Sequence, residues 1–515
     1  MVSVAPAKTS GARAISKPRI CRVALRLAGS NSIFIYFFML LQKSGNVNFC
    51  RLITSAKAGR WRGTLSISDR YLSTGDLRCS FADNREEQNM KNYAIISLLL
   101  LAALRAGAGE YWPQWRGPSH NGVSEAVGLP TTWSTSENVV WSRKLPSWSG
   151  STPVVWGERI FLTSPNSGEE IQGGEKLLLG CLSTADGSVL WQRTLDEGNA
   201  YWRKHNNTSP SPVTDGERVL AVTGTGVIRA FDMDGEELWH YDLQAKHGSF
   251  GLMWGYASSP LLYDGKLFVE VLHGMNTDDP SYLIAFDAAT GEVAWRRERP
   301  TDAPGESPDA YTTPVVLEYD GQTQIVVSGG DYVTGHDPAT GEEVWRAGGL
   351  NPGKERNYRV VGSPVAVAGM VYATSRRNPV LAFRAGGTGD ISESHLAWKW
   401  TGAGGPDVPS AVTDGRYFYM VDDRGRATCL DAKTGAVVWG PERTAQGTVS
   451  ASLVLADGKL YVVNENAVTT VLQAGPEYKV LATNELDGGY TLSSLAIAGG
   501  RIFLRTESHL YCIGQ

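Results

Sequence analysis

Cysteine is scarce in this chain, 6 in 515 residues, and no two are adjacent or in C-x-x-C spacing. That removes the thiol–disulfide, c-type haem and zinc-ribbon classes. Gly-x-Ser-x-Gly and His-Glu-x-x-His are also missing, so hydrolase readings have no footing. No Gly-Lys-Ser/Thr follows Gly224-Thr225-Gly226, which leaves that triplet as a hairpin turn and not a phosphate loop. Thr277-Asp278-Asp279 lacks the ligand spacing of a calcium loop. Basic residues are short where they would matter for nucleic acid. Of 48 Lys+Arg and 53 Asp+Glu, about 14 and about 5 fall in residues 1–89, leaving about 34 against about 48 beyond. A body of roughly −14 lacks the basic stripe that a phosphate backbone needs, so no nucleic-acid partner is expected.

Long apolar runs are lacking too. Tyr93 to Leu104 is about a dozen residues, too short for a membrane span. It follows Met90-Lys91-Asn92 and precedes Ala106-Gly107-Ala108, the three parts of a secretory signal. Residues 90–108 therefore read as a signal peptide, and the mature protein is expected to be periplasmic or extracellular. No Cys follows until Cys181, which excludes a lipid-modified N-terminus. A signal does not work from ninety residues in. Residues 1–89 accordingly read as a start-site miscall or, if translated, a disordered extension.

Glycine and aromatics are plentiful: 58 Gly, 16 Trp and 10% aromatic residues, as suits short strands joined by many turns. The segment Ala285 to Trp295 (AFDAATGEVAW) recurs at Gly335 to Trp345 and Cys429 to Trp439, more loosely at Cys181 to Trp191 and Ala230 to Trp239. A period of roughly 40 to 55 residues marks a solenoid, propeller or array. In each copy the Asp can hydrogen-bond the turn backbone and the Gly can supply positive φ. A small-residue element precedes each copy, as at Thr152-Pro153, Ser211-Pro212, Ser259-Pro260, Thr313-Pro314 and Ser363-Pro364, with looser versions at Ser410, Ser452 and Ser494. The pattern gives four antiparallel strands per unit over 139–515, an all-β, eight-bladed β-propeller. Residues 109–138 are a lead-in. The last unit lacks its Trp strand, and Val139 to Leu145 resembles Val189 to Leu195, so the N-terminal strand should close the C-terminal blade and remove exposed sheet edges. Cys181, Cys429 and Cys512 occupy matching places in different units and should be free buried thiols.

The A-x-D-x-x-T-G-x-x-x-W element resembles the tryptophan-docking motif of the pyrroloquinoline quinone (PQQ) repeat family, over nearly all of 139–515. The resemblance implies eight blades, with each Trp packed on the next. The family includes quinoprotein alcohol and sugar dehydrogenases, a non-catalytic outer-membrane assembly lipoprotein and many secreted bacterial proteins. Trp112-Pro113-Gln114-Trp115-Arg116-Gly117-Pro118 looks like the start of the last group. The vicinal Cys pair of alcohol-type dehydrogenases is missing, as is the lipobox of the assembly protein.

A propeller brings the loops that lead into its innermost strands together at one mouth. Those loops hold Trp148, His205 with Asn206, Trp254 with Tyr256, Asp309 with Tyr311, Arg359, Asp407 and Tyr490. Convergent polar and aromatic groups suit a peptide, protein loop or glycan, though funnel loops are polar in any propeller. His205 could act as a base beside Asp309 or Asp407, or be an ordinary hydrogen-bonded histidine. Trp254 and Tyr256 could stack on a ligand or pack between blades. The expected function is a monomeric binding or scaffolding module. The alternative is a dehydrogenase using PQQ with Ca²⁺.

Overall fold

The computed structural model describes residues 111–514, except 169–172 and 487–488, together with the backbone of five strands nearer the N-terminus. The chain divides into two compact units, residues 1–102 and 103–515. In the first, Ile35–Ser44 pairs antiparallel with Val47–Ala56, which pairs with Gly63–Ser68. Most of residues 1–89, read from sequence as a start-site miscall or a disordered extension, lie outside the described residues. The expected signal at 90–108 lies outside the described residues.

The second unit is a ring of eight antiparallel sheets. Blade 3 shows the pattern: Leu261–Tyr263, Lys266–Val271, Tyr282–Asp287 and Val293–Glu298 pair in sequence. Blades 1, 2 and 4 to 7 open at Val154–Trp156, Val213–Thr214, Val315–Tyr319, Val365–Val367, Val412–Thr413 and Val454–Ala456. Blade 8 starts at Ala496–Ala498, and its outer strand is Val139–Lys144, which pairs with His509–Ile513. The ring therefore closes with the strand expected from sequence, leaving no open end to the array.

Turn chemistry explains why these segments fold as hairpins. Asp287 Oδ1 accepts the backbone N–H of Ala289 (3.0 Å) and of Thr290 (2.9 Å) and the Thr290 hydroxyl (3.1 Å). Gly291, at φ 75°, donates its N–H to the Asp287 carbonyl. Asp337 and Asp431 repeat this arrangement. Such a carboxylate satisfies donors that the tight turn leaves without sheet partners.

The tryptophans then join blade to blade. The indole N–H of Trp191 donates to Met233 O (3.0 Å), that of Trp239 to Ala288 O (3.0 Å) and that of Trp295 to Pro338 O (3.2 Å). Each acceptor lies in the next blade's turn. A Cβ on Gly235, Gly291 or Gly341 would stand 2.4–2.8 Å from the docked ring, so the turn glycine also gives the indole its seat. Trp141 reaches Thr184 O from blade 8 to blade 1 in the same way, so the seam is also covered. Trp345 departs from the rule: its N–H donates to Gln324 Oε1 of its own blade at 2.7 Å. Gly335 stands opposite it, where other blades carry Ala or Cys, and a Cβ there would lie 2.2 Å from Trp345 Nε1. The missing methyl lets this indole fold inward. Cys181, Cys429 and Cys512 each pair with a Trp of the outer strand, and all three thiols are free and buried.

A second belt runs around the inside of the ring. Thr152 N–H donates to Ser211 Oγ (3.0 Å), Ser211 N–H to Ser259 Oγ (2.9 Å) and Thr313 N–H to Ser363 Oγ (2.8 Å). Ser363, Ser410 and Ser452 hand on likewise, and Ser494 N–H returns to Thr152 Oγ1 at 3.1 Å. Seven of the eight small hydroxyls before strand one therefore accept the preceding blade's amide, a donor that a narrow channel could not otherwise satisfy. This is the physical reason for the Ser/Thr preference read from the sequence.

Candidate functional site

The lead-in segment forms the floor of the site. Trp112 pairs with Val155 of blade 1, and Pro113 O accepts Thr214 N–H of blade 2 (2.9 Å). Gln114 Oε1 accepts Leu262 N–H of blade 3 at 3.2 Å. The chain then reaches the opposite wall. Arg116 donates to the carbonyls of Leu453 (3.0 Å), Asn121 (2.8 Å) and Ala411. Val123–Ser124 adds a parallel strand to blade 7. Only innermost strands are touched, so residues 111–124 cross the channel as a plug. The Arg116 guanidinium is buried, which pulls its pKa down to about 9 and still leaves it charged at neutral pH. A Cβ on Gly122 would meet that guanidinium at 2.7 Å, so the plug packs closely against its own anchor.

Above the plug lies a cavity of about 590 Å³ with Trp115 in its wall. Its polar rim forms one connected array. Trp254 Nε1 donates to Glu306 Oε1 at 2.9 Å. Arg359 lies 3.5 Å from Glu306 and 3.4 Å from Asp407, and Arg376 lies 3.7 Å from Asp407. The Asp407 and Val408 N–H groups both donate to Asp423 Oδ1. From the other side, Lys204 spans the mouth to Glu465 (2.7 Å) and Ser450 (3.1 Å) of blade 7. His205 stacks on Trp202 with ring centroids 5.0 Å apart. Neither of its buried ring nitrogens has a hydrogen-bond partner of good geometry, and desolvation lowers its pKa to about 4 against weaker raising influences of the Trp254 and Asn206 backbone, so the ring is neutral at neutral pH.

Of the residues expected from sequence, His205, Trp254, Tyr311, Arg359 and Asp407 line this cavity together. The other five do not. Trp148 is buried beside Tyr201 (5.4 Å) and Tyr490 (6.1 Å). Asn206 braces blades 1 and 2, donating to Trp148 O and accepting from Thr208. Tyr256 belongs to the apolar core of blades 2 and 3. Asp309 accepts the Met253 N–H (2.8 Å) and the Met275 N–H (3.1 Å), holding two rim loops together. His205 faces neither Asp309 nor Asp407 in any hydrogen bond described, so a histidine–carboxylate base is not assembled. Trp202, Arg203, Arg377 and Asp423 also line the cavity and were not picked out by the sequence. Trp202 stands only three residues from His205, and Arg377 lies beyond a strand, where loop alignment gave no signal.

The alternative pairs PQQ with Ca²⁺, and the described side chains offer no ready set of acidic Ca²⁺ ligands. Among the described residues no group of three or more His, Cys, Asp or Glu side chains could hold a metal ion. Asp407 and Asp423 adjoin, but Arg359 and Arg376 already flank the Asp407 carboxylate.

Comparison with known proteins places the chain among relatives. A 168-residue stretch is 30% identical to the outer membrane protein assembly factor BamB of Alkalilimnicola ehrlichii, covering 28% of this chain and 41% of that protein. A 312-residue match to BamB of Escherichia coli is 25% identical and covers 52% of this chain and 72% of that one. The fold is also similar to that of a europium-containing methanol dehydrogenase, with a TM-score of 0.57, 13% identity, and coverage of 80% and 99%. That likeness shows shared architecture alone. The family model described as outer membrane protein assembly factor BamB matches residues 175–440 and 389–502, and the chain belongs to this family of PQQ-like repeat propellers.

Proposed function

We propose that this protein is a cell-envelope binding module, non-catalytic, whose channel mouth holds a peptide, a protein loop or a glycan. The relatives carry the name of an outer-membrane assembly factor, which favours a scaffolding role beside other envelope proteins. The observation that carries the reading is the mouth itself. Charged and aromatic groups from blades far apart in sequence meet around one cavity, and His205 is left there with two unsatisfied nitrogens. Buried polar atoms without partners are uncommon in a folded protein and are expected where a ligand completes them. Beside the cavity, Met253, Trp254 and Met275 are about 40% exposed, an apolar rim pinned by Asp309. Flexible methionines next to an anchored indole suit a protein contact. A secretory leader at 90–108 agrees with this location.

The test is site-specific photocrosslinking in cells, with the probe at Met253 and a control at Tyr319, an exposed residue in the first hairpin of blade 4. A defined envelope protein crosslinked from position 253 but not from 319 is the expected outcome. Equal labelling from both positions contradicts the reading. Saturable dye reduction after mixing with Ca²⁺ and PQQ would overturn the non-catalytic assignment.

A further inference from the structure

We propose that the cavity above the plug binds an acidic saccharide, a short run of carboxylate-bearing sugars, and this rests on the channel-mouth reading above. Four features of the lining select that chemistry.

First, main-chain donors of the innermost strands are already engaged. Thr214, Leu262 and Leu455 donate to the plug, and the belt amides donate to Ser and Thr oxygens. A peptide backbone finds no strand edge to pair with in this channel, which disfavours strand addition. Second, the belt leaves side-chain donors. A hydroxyl has one proton and two lone pairs. Ser211, Ser259, Ser452 and Ser494, all lining the cavity, use an oxygen to accept a neighbour's N–H, so their protons remain to donate to a ligand. A ring of hydroxyl donors matches the many acceptor oxygens of a sugar.

Third, the cations are under-used. Arg359 has only long contacts, 3.4 and 3.5 Å, with its acidic neighbours, and Arg377 lines the same wall, exposed, with no ion pair found for it among the described residues. In a body of net negative charge, Arg203, Lys204, Arg359 and Arg377 line this one cavity, with Arg376 beside Asp407 at its rim. Arginine forks match carboxylates in two-point geometry. Fourth, Trp254 has its indole N–H tied to Glu306, which fixes the ring and presents an apolar face for sugar C–H groups. The unpartnered nitrogens of His205 stand in the same wall and can exchange hydrogen bonds with ring hydroxyls. At about 590 Å³ the cavity is of small-ligand size, so a few sugars fit and a folded domain does not.

Titration calorimetry of the purified protein tests this with tetragalacturonic acid, cellotetraose and tetraglutamate. Tetragalacturonic acid should bind about tenfold or more tighter than the neutral cellotetraose, and Arg377→Gln should weaken it about tenfold, the scale of one charge-assisted hydrogen bond. Trp254→Ala should weaken the acidic and the neutral sugar together. Arg377 is exposed, so its variant folds whatever its role. Tetraglutamate binding as tightly as tetragalacturonic acid overturns the proposal in favour of a peptide while leaving the mouth as a binding site. An Arg377→Gln affinity equal to the parent's overturns it, as does absence of binding by all three probes. Crosslinking from Met253 then decides separately whether channel-mouth binding stands.

Discussion

Replacing Arg116 by Met should destabilise the ring and loosen the cavity floor. The guanidinium donates to three buried carbonyls, two of them, Ala411 and Leu453, in blades 6 and 7. Methionine fills a similar volume but leaves those acceptors without partners, at about 1–3 kcal/mol each. Part of that loss is offset because no charge has to be buried. The net cost works out at about 2–4 kcal/mol. For a body of this size a kcal/mol moves the unfolding midpoint by roughly 1–2 °C, so the midpoint should fall by about 2–8 °C. Arg116→Lys keeps the charge without the three-way fork and should fall between. Chymotrypsin provides a local reading, because Tyr111 and Trp115 are sites within the plug and should be cut faster in the variant. An unchanged midpoint together with unchanged protection of these sites would refute the claim that the segment anchors the channel.

Three further outcomes follow from the packing and electrostatics. Gly335→Ala places a methyl in contact with Trp345 Nε1 and should cost about 1–3 kcal/mol by overpacking, read by chemical denaturation and tryptophan fluorescence; a neutral result means the inward rotamer has another cause. Ser410→Ala removes the acceptor for Ser363 N–H, and a loss of about 1–2 kcal/mol is expected, against none if water replaces the hydroxyl. Burial raises the Asp309 carboxyl to about 6, against the lowering influence of the Met253 and Met275 N–H groups. A folded pKa above the unfolded one means the folded state holds the proton longer. Its contribution is therefore fully present below about pH 4 and is lost as pH rises to about 6, an amount near 2–3 kcal/mol. Asp309→Asn should flatten that part of the stability–pH curve, and an unaltered slope would assign it to other groups.

The repeat, the eight blades and the closing strand were legible because each rests on local chemistry. Asp287, Gly291 and Trp295 carry turn, φ and seat within eleven residues, and the Val139–Lys144 strand declares itself by likeness to blade 1. Loop alignment found the mouth, since position before a Ser or Thr fixes which end of the ring a loop occupies. It could not separate side chains that line the cavity from those that brace it. Asp309 and Asn206 stand at aligned positions with His205 and Arg359, yet the Asp309 oxygens turn to the Met253 and Met275 amides and the Asn206 side chain donates to Trp148 O of the neighbouring loop. That choice is made by contacts distant in sequence. The plug was hidden for a related reason: Arg116 meets Ala411 and Leu453 across 295 and 337 residues, with no periodic signal. Trp345 shows the converse case, since one absent methyl redirects a side chain whose motif reads like the others.

The account holds that the body is secured by the plug, the belt and the docked tryptophans, while the mouth residues serve a ligand. The most direct measurement is the unfolding midpoint of the triple variant His205→Ala, Trp254→Ala and Arg359→Ala. These side chains are unpartnered, partly exposed or held only by long ion pairs, so the midpoint should stay within about 3 °C of the parent's. A fall larger than that of Arg116→Met would show that the fold depends on them, and the binding site inferred at the mouth would be part of the scaffold instead.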